Sequence, residues 1–147
     1  MLQLLLHLIG DYCTQTDWMA NNKAKCSVAA AWHAVIYAVP FAAAPALLNS
    51  FQLWLTTHTG CEYEPFDTCN QTAYAVIALT HFIIDRFRLA RYGVFAKNWV
   101  TDWSLRWNDC SATGYPPSTP AWMAVWLTII TDNTLHLTIN FLALRYA

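Results

Sequence analysis

The sequence predicts an all-α integral membrane protein: one domain, residues 1–147, with four transmembrane helices. Apolar residues make up 56% of the 147-residue chain. Charged residues make up only 12%, against roughly 25% in typical soluble domains, which is too little charge to cover a water-exposed surface. Three long apolar stretches can each cover the hydrocarbon core of a bilayer, which needs about 20 helical residues.

The composition also argues against other classes of protein. Disorder requires low hydrophobicity and high charge, and this chain has the opposite. Eight Lys and Arg residues are spread along a chain of formal net charge −1, so they form no basic stripe for nucleic acid. The mean hydropathy is only +0.27. Polar residues must therefore be concentrated at particular places in the chain.

The four predicted helices follow in chain order. The first, about 1–20, is marginal because it opens with MLQLLLHLIG and then turns polar. It lacks the basic start and the small-residue cleavage site of a signal peptide, so we expect it to be retained. The others run over about 27–55, 73–97 and 120–146.

Trp99, Trp103 and Trp107 recur every four residues in the third loop. This spacing predicts a short amphipathic helix that lies in the cytoplasmic membrane interface. A loop with scattered interfacial Trp residues explains the pattern equally well.

Lysine and arginine predict the orientation, because cytoplasmic loops carry an excess of both. One basic cluster lies between the first two helices, and another lies at and after the end of the third. Their members are Lys23, Lys25, Arg86, Arg88, Arg91, Lys97 and Arg106. The loop over 51–72 has no Lys or Arg and carries Glu62, Glu64 and Asp67. Both basic clusters should therefore be cytoplasmic, and both chain termini extracytoplasmic.

Cys61 and Cys69 share this predicted outer loop. They could form a disulfide if the compartment is oxidising. The other cysteines form no zinc pattern with each other or with His.

Three of the four predicted helices carry a His and an Asp four positions apart. This spacing places both side chains on one helix face, one turn apart. The pairs are His7–Asp11, His81–Asp85 and Asp132–His136, and the second helix adds His33. A charged residue at the centre of a membrane helix costs roughly 2.5–3.5 kcal/mol. These side chains should therefore face one another, a water-filled cavity or a metal ion.

Counted from the basic ends of the helices, all seven residues fall at similar depth, in the cytoplasmic half or near the midplane of the membrane. Packing alone explains a single His or Asp, but it explains this joint pattern poorly. We therefore predict a metal site. A metal-free proton or ion relay is the first alternative, and purely structural hydrogen bonding between helices is the second.

His and carboxylate ligands suit zinc best, with iron or manganese as alternatives, and the residues could serve one ion or two. Binding needs neutral His, so metal affinity should fall as pH falls. An open coordination position would make the site hydrolytic. Asp11 or Asp132 is then the candidate general base, and Gln15, one turn beyond Asp11, could orient substrate. Three further side chains could bind the substrate by holding its phosphate or lipid head group: Arg86, Arg88 and Asn133.

Three segments carry a resemblance to a known family: HLIGDYCTQTDWMANNK, THFIIDRFRLARY and TDNTLHLTINFLALRY. They resemble a family of short multi-helix membrane proteins from bacteria and their phages, catalogued as a domain of unknown function. The resemblance covers nearly the whole chain except the loops 50–70 and 100–120. It implies a bacterial inner-membrane location, and no activity comes with it. The element His81–Asp85 is also similar to one in membrane-bound metal-dependent hydrolases, although the chain lacks their HRGxTHS-like segment.

The leading interpretation is a multi-pass inner-membrane protein whose buried divalent-metal site hydrolyses a lipid or another membrane-accessible substrate. A transporter or channel for a cation or small solute is the second interpretation. Four helices are few for transport, so this version would need a homo-oligomer. The third is a phage-type accessory protein that binds a host membrane partner and whose polar core is only structural.

Overall fold

The computed structural model describes residues 2–66 and 70–147, and the described chain is all-α. The helices are α1 (Leu2–Leu8), a π-helical turn (Ile9–Cys13), α2 (Asp17–Asn22), α3 (Ser27–Thr59), α4 (Gln71–Phe87), α5 (Leu89–Thr101), α6 (Trp107–Cys110) and α7 (Ala121–Tyr146). Cys69 lies outside the described residues, so the suggested disulfide with Cys61 lies outside them too.

The second and fourth predicted helices correspond to α3 and α7, but the other two are interrupted. The first is divided into α1, the π-helical turn and α2, and Thr16 caps α2 by accepting a hydrogen bond from the Met19 amide. The third is divided at Arg88, whose backbone adopts a left-handed conformation with φ of 51°. α4 therefore ends at Phe87, and α5 begins as a separate helix at Leu89.

Within 2–66 and 70–147, α3 is the one helix whose length and composition would let it cross a membrane. It has 33 residues, about 50 Å at 1.5 Å per residue. α4 has only 17 residues, and the middle of α7 carries Asp132 and His136. The all-α class is confirmed, whereas four transmembrane helices are not supported.

The predicted amphipathic helix through the third loop is wrong as a continuous helix. Trp99 lies in the last turns of α5, Trp103 lies in a turn, and Trp107 begins α6. α5 ends at Thr101 because the next residue, Asp102, uses its side chain to accept hydrogen bonds from the Ser104 amide and hydroxyl. The three Trp residues therefore belong to three different elements.

Four elements enclose the centre of the molecule. α4 packs against both α3 and α7, and α1 packs against the same two helices from the other side. A core of apolar side chains forms where they meet, with Leu6 from α1, Tyr37 and Phe41 from α3, Ile77 from α4 and Ala143 from α7. Polar groups of the four elements meet beside this core, at the level where α3 begins and α4 ends.

Gly10 allows the π-helical turn to lie directly on α3. A Cβ atom at this position would stand 2.6 Å from the Tyr37 carbonyl oxygen and 2.9 Å from its ring. No Cβ approaches a backbone atom that closely, so a larger residue would push the turn away from α3. The position of Asp11, the next residue, depends on this contact.

Gly10→Ala should destabilise the fold by about 1–3 kcal/mol, the usual cost of overpacking. We expect the melting temperature in detergent to fall by several degrees, since a chain of this size loses about 2–4 °C per kcal/mol. Gly93→Ala is the matched control, because a Cβ there meets nothing within 4 Å and alanine favours the helix. An unchanged melting temperature for Gly10→Ala would show that the turn is not packed this closely.

Candidate metal centre

Four side chains from three elements converge on one point. The π-helical turn presents Asp11, α3 presents His33, and α4 presents His81 and Asp85. Their candidate ligand atoms all lie within 4.8 Å of one another. The four residues are 0–6% exposed, so the cluster is buried. Adjacent turns of α4 supply two of the four groups, as the four-residue spacing predicts.

Most of the separations within this cluster are close to those of a tetrahedral metal site. His33 Nε2 lies 3.0 Å from His81 Nε2, and each nitrogen lies 3.1 Å from Asp85 Oδ2. Asp11 Oδ1 lies 3.1 Å from His33 Nε2 and 3.9 Å from His81 Nε2. A tetrahedral zinc site with bonds of about 2.0–2.1 Å has ligand atoms about 3.3–3.4 Å apart. These two imidazoles and two carboxylates could therefore hold one metal ion.

The ammonium group of Lys23 also reaches the cluster, from the turn between α2 and α3. Its Nζ lies 2.8 Å from Asp85 Oδ2, 3.2 Å from His33 Nε2 and 3.5 Å from Asp11 Oδ1. Burial alone would lower the pKa of Lys23, but the carboxylates of Asp85 and Asp11 outweigh it and raise the pKa. This positive charge partly neutralises the two buried carboxylates.

A second group from α7 adjoins the first and shares Asp85 with it. His136 Nε2 lies 3.5 Å from Asp85 Oδ1 and 3.5 Å from Asp132 Oδ2. On its other side, His136 Nδ1 lies 3.1 Å from His81 Nδ1. The side chain of Asp132 is 27% exposed. The group therefore extends from the buried cluster towards the surface.

His7 lies next to these groups, but its two ring nitrogens are engaged elsewhere. Nε2 lies 3.0 Å from Asn133 Oδ1 and Nδ1 lies 2.8 Å from the Tyr37 hydroxyl. Asn133 Oδ1 can only accept, so Nε2 carries the proton and Nδ1 accepts from Tyr37. No lone pair of a neutral His7 is then free for a metal. The predicted ligand His7 thus holds Tyr37 and Asn133 in this structure.

Two of the residues predicted to bind substrate, Asn133 and Arg86, already make hydrogen bonds within the protein. Asn133 Oδ1 accepts hydrogen bonds from His7 and from the Tyr12 hydroxyl. Arg86 donates to the Ala24 carbonyl and the Ser27 hydroxyl, so it holds the start of α3 against α4. These contacts explain the two residues without a substrate.

A cavity of about 390 Å³ adjoins the cluster. It lies between the α2–α3 turn, the junction of α4 and α5, and α7. Its polar lining comes from Asp11, Tyr12, Gln15, Lys23, Asp85, Arg88, Arg91, Thr128 and Asp132. The Gln15 side-chain oxygen is buried there without a hydrogen-bond partner among the described residues. Carboxylates of the cluster and basic side chains thus share one space.

Three contributors to the site were missed in the sequence. Tyr37 is fully buried, stacks on His81 with ring centroids 3.6 Å apart, and accepts a hydrogen bond from Asn140. Tyr37 follows His33 by four residues and Asn140 follows His136 by four, so continuing the same helix faces would have found both. Lys23 was interpreted only as an orientation signal.

The fold and the site together define an all-α protein with a buried Asp/His cluster that could hold a metal ion. The chain belongs to the family described as "Protein of unknown function (DUF3307)", whose model matches residues 1–104. This range contains all four residues of the buried cluster and ends before α7. No curated protein and no solved structure matches the chain.

Proposed function

We propose that the protein is a metal-dependent hydrolase embedded in the bacterial inner membrane, acting on a lipid or another membrane-accessible ester. One observation carries the proposal: two buried imidazoles and two buried carboxylates bring their ligand atoms within 4.8 Å of one another beside a cavity. Hydrogen bonding accounts for the individual distances of 3.0–3.1 Å, but the convergence of all four groups on one buried point favours a shared cation.

Exposed apolar side chains support a membrane location. Each of the long helices turns large apolar residues outwards, beyond what a water-soluble surface normally carries. They include Trp32, Leu47 and Phe51 on α3, Leu79 and Ile83 on α4, and Trp122, Trp126 and Ile130 on α7. We therefore propose that α4 and α7 lie in the bilayer beside α3. In this arrangement the basic cluster at the cavity faces the cytoplasm and the chain termini lie on the outer side.

Zinc is the proposed ion, because it favours four-coordinate sites with nitrogen and oxygen ligands, and iron or manganese would also suit these groups. A divalent metal bound there would act as a Lewis acid and lower the pKa of water at the site. The chain supplies the other functions. Arg88 and Arg91 line the cavity, and although each also donates one hydrogen bond to a backbone carbonyl of the loop before α7, their remaining donors fit an anionic head group such as a phosphate.

Asp132 is the carboxylate best placed to act as general base, since it lines the cavity and is partly exposed. Hydrolysis adds the hydroxyl of water to the ester carbon or phosphorus and gives its proton to the leaving oxygen. Asp132 would accept the proton of the attacking water and return it to that oxygen. Gln15, with its unpaired oxygen, would orient the water or the substrate.

The test is hydrolysis of phospholipid vesicles by purified, reconstituted protein. Vesicles of phosphatidylglycerol and phosphatidylethanolamine should release products detectable by mass spectrometry, and EDTA should stop the release until zinc is added back. Asp132→Asn should lower the rate by about 10²–10⁴-fold, the usual contribution of a general base. Asp109→Asn, an exposed Asp outside the cavity, is the matched control. Metal-loaded protein that releases no product would contradict the proposal for this lipid class.

A further inference from the structure

We infer that His136 is not a metal ligand but a positioning residue that holds His81 in its ligating tautomer, so that the site takes one metal ion. The inference rests on the proposed metal site. It concerns the two overlapping groups, which by spacing alone would accommodate two ions that share Asp85.

The argument is a count of ring protons. A neutral imidazole carries one N–H, and the ligating nitrogen must be the other one. His81 Nδ1 and His136 Nδ1 lie 3.1 Å apart, so exactly one of the two nitrogens can carry a proton in a hydrogen bond between them. If both Nε2 atoms bound metal, both Nδ1 atoms would carry protons directed at each other. The structure therefore allows one of the two imidazoles to ligate through Nε2.

His81 is the better candidate for that ligand. Its Nε2 lies 3.0 Å from His33 Nε2 and 3.1 Å from Asp85 Oδ2, within the tetrahedral cluster. His81 Nδ1–H then donates to His136 Nδ1, which places the proton of His136 on Nε2. That proton faces two carboxylate oxygens, Asp85 Oδ1 and Asp132 Oδ2, each 3.5 Å away. The negative charge of both carboxylates favours a proton on Nε2, and a cation bound by His81 would disfavour a second proton on Nδ1 of His136.

The other surroundings of His136 agree with this assignment. The residue is 1% exposed, so water cannot replace its partners freely. The ring centroid of His7 lies 5.8 Å from that of His136. Both ring nitrogens of His7 are hydrogen-bonded to Tyr37 and Asn133, so they are not partners of His136. The chain Asp132–His136–His81 thus has the form of a carboxylate and imidazole that orient a ligating His, an arrangement known around protein metal sites.

Titration of the 147-residue chain with Co²⁺ in detergent tests the inference, because tetrahedral cobalt gives an intense visible spectrum that weakens when a ligand is lost. We expect one equivalent in wild type. His136→Met removes the acceptor and should weaken cobalt binding by about 10–100-fold, as loss of such a partner does, while the tetrahedral spectrum is kept. His136→Gln, whose amide oxygen can accept from His81 Nδ1–H, should recover much of the affinity.

Different failures have different meanings. Two equivalents of cobalt in wild type, or loss of the tetrahedral spectrum in His136→Met, would overturn the inference and leave a metal site in place. Equal affinities for His136→Met and His136→Gln would also overturn it, because a merely structural role does not distinguish an acceptor from a thioether. A folded wild type that binds no cobalt would overturn the proposed function and the inference together.

Discussion

Replacing His33 with Gln is expected to lower metal affinity by two or more orders of magnitude. His33 Nε2 lies 3.0–3.1 Å from three other candidate ligand atoms of the cluster, so its loss removes one of four ligands. Structural zinc sites bind with about 10–16 kcal/mol, or roughly 3 kcal/mol per ligand, which corresponds to a factor of ~100 or more. Competition with a chromogenic chelator measures the affinity.

His58→Gln is the matched control, because His58 lies on the same helix but is exposed at its far end. Its Nδ1 lies 2.7 Å from the Trp54 carbonyl oxygen, within its own helix. This variant should bind metal as wild type does. Equal affinities for the two variants would remove His33 from the ligand set.

Asp85→Asn is expected to have a larger effect, loss of metal binding together with loss of stability. Asp85 Oδ2 belongs to the tetrahedron and Oδ1 faces His136. The same carboxylate pairs with Lys23 at 2.8 Å. Removing one partner of a buried ion pair costs about 3–5 kcal/mol, and a smaller cost applies here because the Lys23 side chain is 21% exposed. The melting temperature of metal-free protein measures this part of the effect.

The combination Lys23→Met with Asp85→Asn separates the two effects. Removing both partners should recover much of the stability, since no unpaired ammonium remains, but it should not recover metal binding. Asp109→Asn, which changes an exposed carboxylate, should leave both properties unchanged. Retained metal binding in Asp85→Asn would contradict the assignment of Asp85 as the shared carboxylate.

Helix periodicity was enough to predict which His and Asp side chains share a face on α4 and α7. It did not predict the partners of every side chain in the cluster. His81 and Asp85 lie 3.1 Å apart on one face of α4, and Asp132 and His136 lie 3.5 Å apart on α7, as the spacing predicts. The pair His7 and Asp11 behaves differently, because His7 lies in α1 and Asp11 lies in the π-helical turn, and their side chains have different partners. Nothing at Gly10 in the sequence distinguishes a π-helical turn from an ordinary one.

Other features depended on tertiary contacts that periodicity does not contain. Arg88 adopts its left-handed backbone where α4 meets α5, and this divides a segment that reads as one helix. Lys23 looked like a cytoplasmic surface charge but enters the cluster, because the α2–α3 turn folds over the end of α4. Arg86, predicted to bind substrate, instead joins the α2–α3 turn to α4 through a hydrogen bond to the Ala24 carbonyl.

Metal content of the wild-type chain tests the central claim most directly. The 147-residue chain would be purified in detergent without chelator, and its metal content would be measured by elemental mass spectrometry alongside the protein concentration. The account predicts about one divalent transition-metal ion per chain, lost on dialysis at low pH as the imidazoles protonate. A folded, metal-free protein that takes up no zinc when zinc is supplied would contradict it.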